Sequence, residues 1–475
     1  MTEALGWPLF ESLLLASYLA AALAAAGHAI LNKRDPRSAW GWIAVCWLFP
    51  LAGPLLYVLF GINRVSLSPL RSVIPLPAKV DESMLPEAVG VAPADIRELV
   101  RIGEAMSGLP LVSGNCVEPL FNGDEAYPAM LEAVARARDS ICLATYIYRD
   151  DVTGRELATA LAAAQGRGVK LRVLLDGLAD VIYRPRASRM LHQHGIKAAL
   201  FLPPRLFPPM IHINMRNHRK MLIVDGRLAF TGGINIDDRH RLQGRTDGHI
   251  QDLHFKLQGP VVCQLQAVFA SDWLHATGES IPVDGSATPA TSGMTVARVI
   301  RDGPDDELNR LELVLQGALA TAHRRVWIMT PYLLPRPSML AALQAAALRG
   351  LDVRILLPSR SNQPWMDWAM RHLLWQLLQY HVHVLLRPPP FAHSKLILVD
   401  DYYLQFGTAN LDSRSMRLNF ELMVEAYDMK LVTDLARHFE AVCADSLPAS
   451  LQDVDGRSLG TKLRDGLFWL FSPFL

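Results

Sequence analysis

Two stretches of the sequence carry the same three polar side chains on an apolar background: His218-Arg-Lys220-Met-Leu-Ile-Val-Asp225 and His393-Ser-Lys395-Leu-Ile-Leu-Val-Asp400. Both read H-x-K-x4-D. The agreement continues downstream without a gap, since Gly232 and Gly407, Asn235 and Asn410, Asp237 and Asp412, and Arg239 and Arg414 stand at equal distances from their histidines. Imidazole can act as nucleophile and proton carrier at neutral pH. Two lysines and two asparagines facing one anionic group would neutralise a phosphate, bond its non-bridging oxygens and stabilise a five-coordinate transition state. One imidazole would attack phosphorus while the other protonates the departing oxygen and then takes the proton of the incoming hydroxyl.

Strand geometry sorts these groups, because side chains alternate faces with period two. His and Lys, two apart, share a face, whereas the motif aspartate has the opposite parity. Asp225 precedes Gly226 in an apparent hairpin turn, so for Asp225 and Asp400 a turn role stands beside the catalytic one. A nucleophilic histidine needs a partner that fixes its tautomer. Asp252 and Glu421, on the strand-like stretches after each loop, are the candidates for orienting the histidines. His212, His240 and His254 read as scaffold or rim residues. An ammonium two residues from each histidine would repel a divalent cation, and neither H-E-x-x-H nor G-x-S-x-G occurs. No metal and no cofactor are expected.

The motifs sit in a repeated α/β pattern. Helix Tyr127–Arg138, strand Ile141–Tyr148, helix Gly154–Gln165 and strand Val169–Leu175 are expected in the first copy. Helix Leu308–His323, strand Val326–Tyr332, helix Pro337–Leu348 and strand Leu351–Leu357 are expected in the second. Gly168-Val-Lys-Leu-Arg-Val-Leu-Leu175 matches Gly350-Leu-Asp-Val-Arg-Ile-Leu-Leu357. The fold class is therefore α/β, with two duplicated lobes of mixed sheet forming one pseudo-two-fold body.

At 475 residues the chain has room for about three units. Hydrophobic residues make up 51% and charged residues 20%, which excludes disorder over most of the length. Lys+Arg 47 against Asp+Glu 46 leaves a formal charge of +1, so no global field draws the protein to nucleic acid. The five cysteines are scattered, without a C-x-x-C pair, and read as small core residues.

The apolar excess lies at the start. Trp7 to Leu31 is nearly all Leu and Ala, and Ala39 to Phe60 carries no charge. Each run is long enough to cross a bilayer. No basic leader precedes the first, so a retained two-helix hairpin is expected in place of a cleaved signal. Lys33, Arg34 and Arg37 between the runs compete with Arg64, Arg71 and Lys79 beyond them in setting its orientation. The expected organisation is a membrane anchor over 1–62, linker and connecting helix over 63–110, first lobe over 111–280, inter-lobe linker over 281–304, second lobe over 305–450, and a membrane-proximal tail over 451–475.

With its paired H-x-K-x4-D motifs the chain resembles the phospholipase D superfamily, and over nearly its whole length it looks like the bacterial cardiolipin synthases. The narrower resemblance rests on Trp40-Gly-Trp42 through Phe49-Pro50-Leu-Ala-Gly53, Tyr146-Ile-Tyr148-Arg-Asp150, Arg216-Asn217-His218-Arg219-Lys220, Asn410-Leu-Asp412-Ser-Arg414 and Leu418-Asn419-Phe-Glu421. The resemblance implies a phosphatidyl-histidine intermediate formed without a metal. One phosphatidylglycerol donates, glycerol leaves and a second phosphatidylglycerol accepts, at a multi-pass protein of the bacterial inner membrane. It assigns attack to His218 and acid/base work to His393, with Lys220, Lys395 and the motif aspartates as catalytic companions. Phospholipids and the membrane are the implied partners; oligomeric state is left open. Pro388-Pro-Pro390, Ala392, Thr408 and Met416 depart from the pattern and bear on lipid preference. The alternatives are a hydrolase or nuclease of the same superfamily, and an inactive scaffold holding anionic lipid.

Overall fold

The computed structural model describes residues 3–33, 36–62, 93–204, 215–283, 293–304 and 309–473. His212, the Pro/Ser-rich stretch of 63–92 and residues 284–292 of the expected inter-lobe linker lie outside them. The chain divides into an amino-terminal unit and a large α/β body.

In the amino-terminal unit, helix Glu3–Asn32 runs unbroken for 30 residues. Its segment Phe10–Asn32 is long and apolar enough to cross a membrane. The second apolar run does not form the single helix expected. Helix Pro36–Leu48 stops at Phe49-Pro50, Leu51 takes φ 62°, and the chain resumes as Ala52–Leu56 and a π turn, Tyr57–Gly61. Pro50 has no N–H to give the preceding turn, and its ring crowds the carbonyl four residues back. The pieces pack on the long helix: Tyr18 Oη donates to the Trp47 carbonyl, and His28 Nδ1 lies 2.8 Å from Tyr57 Oη.

The body is built on one 16-stranded sheet whose order is nearly palindromic. From the middle outwards, the first half contributes Val112–Phe121, Leu253–Gln258, Leu228–Gly232, Met221–Val224, Ser140–Thr145, Lys170–Asp176 and Ala198–Phe201. The second contributes Thr295–Asp302, Asn419–Tyr427, Tyr403–Gly407, Leu396–Val399, Arg325–Met329, Asp352–Pro358 and His383–Arg387, then the short Leu447–Pro448. Corresponding pairs have the same sense in both halves, antiparallel near the seam and parallel at the outer edge. Parallel neighbours need a crossover, and helices Val152–Gly166 and Pro337–Leu348 supply it in the two copies. Each half has its own apolar core.

The halves meet where Val112–Phe121 pairs with Thr295–Asp302. That second strand falls inside 281–304, expected to be linker. Arg298 and Arg301 make its sequence look polar, yet all eight residues are buried. The Arg298 guanidinium is ion-paired with Glu425, its cross-strand partner, and both side chains are fully buried. A charge pair satisfied inside a sheet cannot be told from a surface pattern by composition.

In the tail, helix Leu459–Trp469 lays Phe468 and Trp469 against Trp368 and His372 of helix Pro364–Leu373. Leu459, Leu463, Leu467 and Leu470 are exposed. One side of this helix thus packs on the body while a row of leucines remains exposed.

Candidate active site

Each motif runs through one arm of a hairpin. His218 and Lys220 immediately precede strand Met221–Val224, and Asp225 occupies the turn at its far end. Seven residues of extended chain span roughly 20 Å, so the aspartate is carried away from the histidine. Its carboxylate accepts the backbone N–H groups of Arg138, Asp139 and Ser140 at 2.7 to 3.3 Å. Asp400 does the same for His323, Arg324 and Arg325. Both take positive φ, 52° and 51°, where a short polar side chain is tolerated. Asp225 and Asp400 thus fasten the hairpin turn to the start of the neighbouring strand, the turn role that strand parity set beside the catalytic one.

At the other end the halves interlock. Residues Arg216–Asn217 pair in parallel with Asn419–Phe420, and Phe391–Ala392 pair in parallel with Ile250–Gln251. Continuing each register by one residue sets His218 beside Glu421 and His393 beside Asp252. Accordingly, His218 Nδ1 lies 3.0 Å from Glu421 Oε2, and His393 Nδ1 lies 2.6 Å from Asp252 Oδ2. Each histidine is thus oriented by a carboxylate of the opposite half. A carboxylate at Nδ1 favours the proton on that nitrogen and turns Nε2 away from it, although at His393 the Lys395 Nζ also lies 3.0 Å from Nδ1. Lys220 Nζ donates to the His218 carbonyl at 2.7 Å, and Lys395 Nζ donates to that of His393.

Burial works against every charge at this site. It brings Lys220 down to about 7 and Lys395 to about 8, against the opposing pull of Glu421 and Asp252. His218 is held below the ordinary imidazole value by burial, with Glu421 resisting. His393 is held well below it, by burial and then by the charges of Lys395, Lys220 and His218. The mutual influence of Lys220, Lys395 and the two imidazoles makes the four groups one electrostatic site. The carboxylates differ: burial opposes ionisation of Glu421, but His218, Lys220 and Thr408 outweigh it, whereas at Asp252 burial prevails despite Lys395.

Asn235 and Asn410 are buried in the loops after each hairpin. Asn235 Oδ1 takes the Ile147 N–H at 3.3 Å, while among the described residues Asn410 Oδ1 has no hydrogen-bond partner. Sequence reasoning missed several groups. Tyr146 stands with its ring 5.0 Å from that of His218 and 5.6 Å from Lys220 Nζ. Arg219, on the face opposite His218 and Lys220, is fully buried and joins Asp272 at 2.5 Å and the Glu421 carbonyl at 3.0 Å. Strand parity alone points it beneath the site, but nothing local names Asp272 as its partner.

Comparison with known proteins bears on this arrangement. The model described as "Cardiolipin synthase, PLD-like domain" matches residues 130–273 and 315–443, and "Phospholipase_D-nuclease N-terminal" matches 20–61. A cardiolipin synthase of Halalkalibacterium halodurans is 32% identical over 461 residues, covering 94% of this chain and 90% of that one. The chain belongs to the cardiolipin synthase family. It is a phosphatidyltransferase of the phospholipase D superfamily, its two family domains falling in the two halves of the sheet. Cardiolipin synthase 2 of Bacillus anthracis is 30% identical over 459 residues, with 94% and 88% of the two chains covered. For the major cardiolipin synthase of Bacillus subtilis the figures are 29%, 94% and 95%. The crystal structure of phosphatidylserine synthase from Haemophilus influenzae superposes with a TM-score of 0.63 at 14% identity, over 80% of this chain and all of that one. It shows the fold alone.

Proposed function

We propose that this protein joins two phosphatidylglycerol molecules into cardiolipin with release of glycerol, through a phosphatidyl-histidine intermediate. His218 Nε2 attacks phosphorus of the donor lipid, and His393, which takes up a proton when the bound phosphodiester anion offsets the depression of the empty site, gives its Nε2 proton to the departing glycerol oxygen. His393 then takes the proton of the primary hydroxyl of a second phosphatidylglycerol, whose oxygen displaces His218 from phosphorus. Lys220, Lys395, Asn235 and Asn410 hold the non-bridging oxygens. A carboxylate that stays ionised suits the imidazole that becomes positive on attack, which favours His218, backed by Glu421, as nucleophile.

The observation that carries this reading is the pair of crossed Nδ1–carboxylate contacts around two buried ammonium groups. The test is purified enzyme with phosphatidylglycerol. Cardiolipin and glycerol in equal amounts are expected, and production of neither removes the proposal. Phosphatidic acid formed in place of cardiolipin would favour the hydrolase reading.

We also propose that the protein sits in the bacterial inner membrane with both amino-terminal apolar segments embedded. The uncharged second run and its packing on the first helix support this. Cysteine labelling at either end of residues 36–62 tests it.

A further inference from the structure

The two orienting carboxylates are held by different means. Glu421 accepts Thr408 Oγ1 at 2.6 Å, Ser415 Oγ at 2.9 Å and Asn419 Nδ2 at 3.1 Å. Thr408 stands fifteen residues after His393 and Ser415 twenty-two after it. The residues in the same register after His218 are Gly233 and His240. Gly233 offers no donor, and a Cβ there would lie 2.2 Å from Asp252 Oδ1, so the carboxylate fills the room of a side chain.

His240 repeats the other half of the arrangement. Ser415 Oγ takes the backbone N–H of Asn410 at 3.3 Å, and His240 Nε2 takes that of Asn235 at 3.3 Å. A neutral imidazole that accepts at Nε2 carries its proton on Nδ1. This Nδ1–H is buried, makes no hydrogen bond among the described residues, and its nitrogen stands 3.9 Å from Asp252 Oδ2, the oxygen that holds His393. The second half thus holds a long acid with a short donor, and the first sets a long side chain near a short acid without a hydrogen bond between them.

We propose that His240 is a positioning residue, the counterpart of Ser415, whose Nδ1–H closes on Asp252 and keeps it ionised while His393 carries the proton destined for the leaving group. This rests on the phosphatidyl-transfer reading. Asp252 is faced by Lys395, His240 and His254 besides His393, and His240 is faced by Asp252, His393, Asp237 and Arg239. Burial holds His240 near 3 and favours the neutral acid at Asp252, so His240 serves as an uncharged donor and opposes that neutralisation. An unmet buried donor is costly, and a small closure onto Asp252 would satisfy it.

The test compares leaving groups in the full-length enzyme. With phosphatidylglycerol the first step needs an acid; with a phosphatidyl ester of p-nitrophenol it does not. His240→Phe is expected to slow the glycerol burst roughly tenfold, the worth of one lost hydrogen bond to a charged group, and to leave the nitrophenolate burst unchanged. His240→Gln, which keeps a donor, is expected to restore most of the glycerol burst. Equal slowing of both bursts, or of neither, in the variants that fold would overturn the proposal. His218→Ala separates the underlying reading, because a nitrophenolate burst that survives in it removes phosphatidyl transfer through His218 whatever His240 does.

Discussion

His218 Nδ1 lies 3.0 Å from Glu421 Oε2 although 203 residues separate them in the chain. The contact exists because Arg216–Asn217 pairs with Asn419–Phe420 across the seam, one residue short of both groups. The reciprocal pairing does the same for His393 and Asp252. Each of the two motif histidines thus takes its carboxylate partner from the other half.

Crossed orientation predicts crossed coupling. Glu421→Gln and Asp252→Asn should each lower kcat by about 10²–10⁴-fold. Glu421→Gln should add little to the loss caused by His218→Ala, and Asp252→Asn little to that of His393→Ala. Double-mutant cycles on cardiolipin formation check this. Coupling of Glu421 to His393 in its place would mean that the contacts do not set the roles.

The motif aspartates are expected to act on stability. Removing the Asp400 carboxylate leaves backbone donors of three residues unpaired, so Asp400→Ala should cost about 1–3 kcal/mol. The folded fraction should keep kcat within a few-fold of the parent. Denaturant unfolding combined with active-site titration separates the two effects. A folded, stable and inactive variant would return Asp400 to the chemistry.

The lysines set a pH dependence whose sign follows from burial. Lys220 near 7 and Lys395 near 8 lose their protons as pH rises through that range in the empty site. kcat/KM should therefore fall above about 7. A bound phosphodiester anion favours the charged ammonium and raises both values, so the alkaline limb of kcat should lie at higher pH than that of kcat/KM. On the acid side, His218 is depressed and stays neutral below the ordinary imidazole value. Profiles with phosphatidylglycerol in mixed micelles, at saturating and limiting substrate, test this; coincident alkaline limbs would contradict it.

The seam has its own test. Arg298→Met leaves Glu425 buried and unpaired, which should cost about 3–5 kcal/mol. Arg298→Met together with Glu425→Met should recover most of that loss, as read from the thermal midpoint.

Much of the fold was legible because it rests on local signals. Gly168 and Gly350 before their matching strands, and the repeated order of helix and strand, gave the duplicated α/β unit. The seam strand Thr295–Asp302 was not legible, because Arg298 and Arg301 look like surface residues until Glu425 is set opposite. The second apolar run reads as one span because its missing charges are visible, while the break at Pro50 depends on backbone geometry.

For the site, the sequence alone marked out the candidate groups: paired histidines, lysines and asparagines in fixed register, with Asp252 and Glu421 as candidate carboxylate partners. Period two also put Asp225 and Asp400 on the other parity. Only tertiary structure decided that each acid serves the histidine of the other half and that His240 stands where Ser415 does. The reason is physical: register along one strand is fixed by local alternation, whereas pairing between strands is settled by burial of the whole seam, which no single segment encodes.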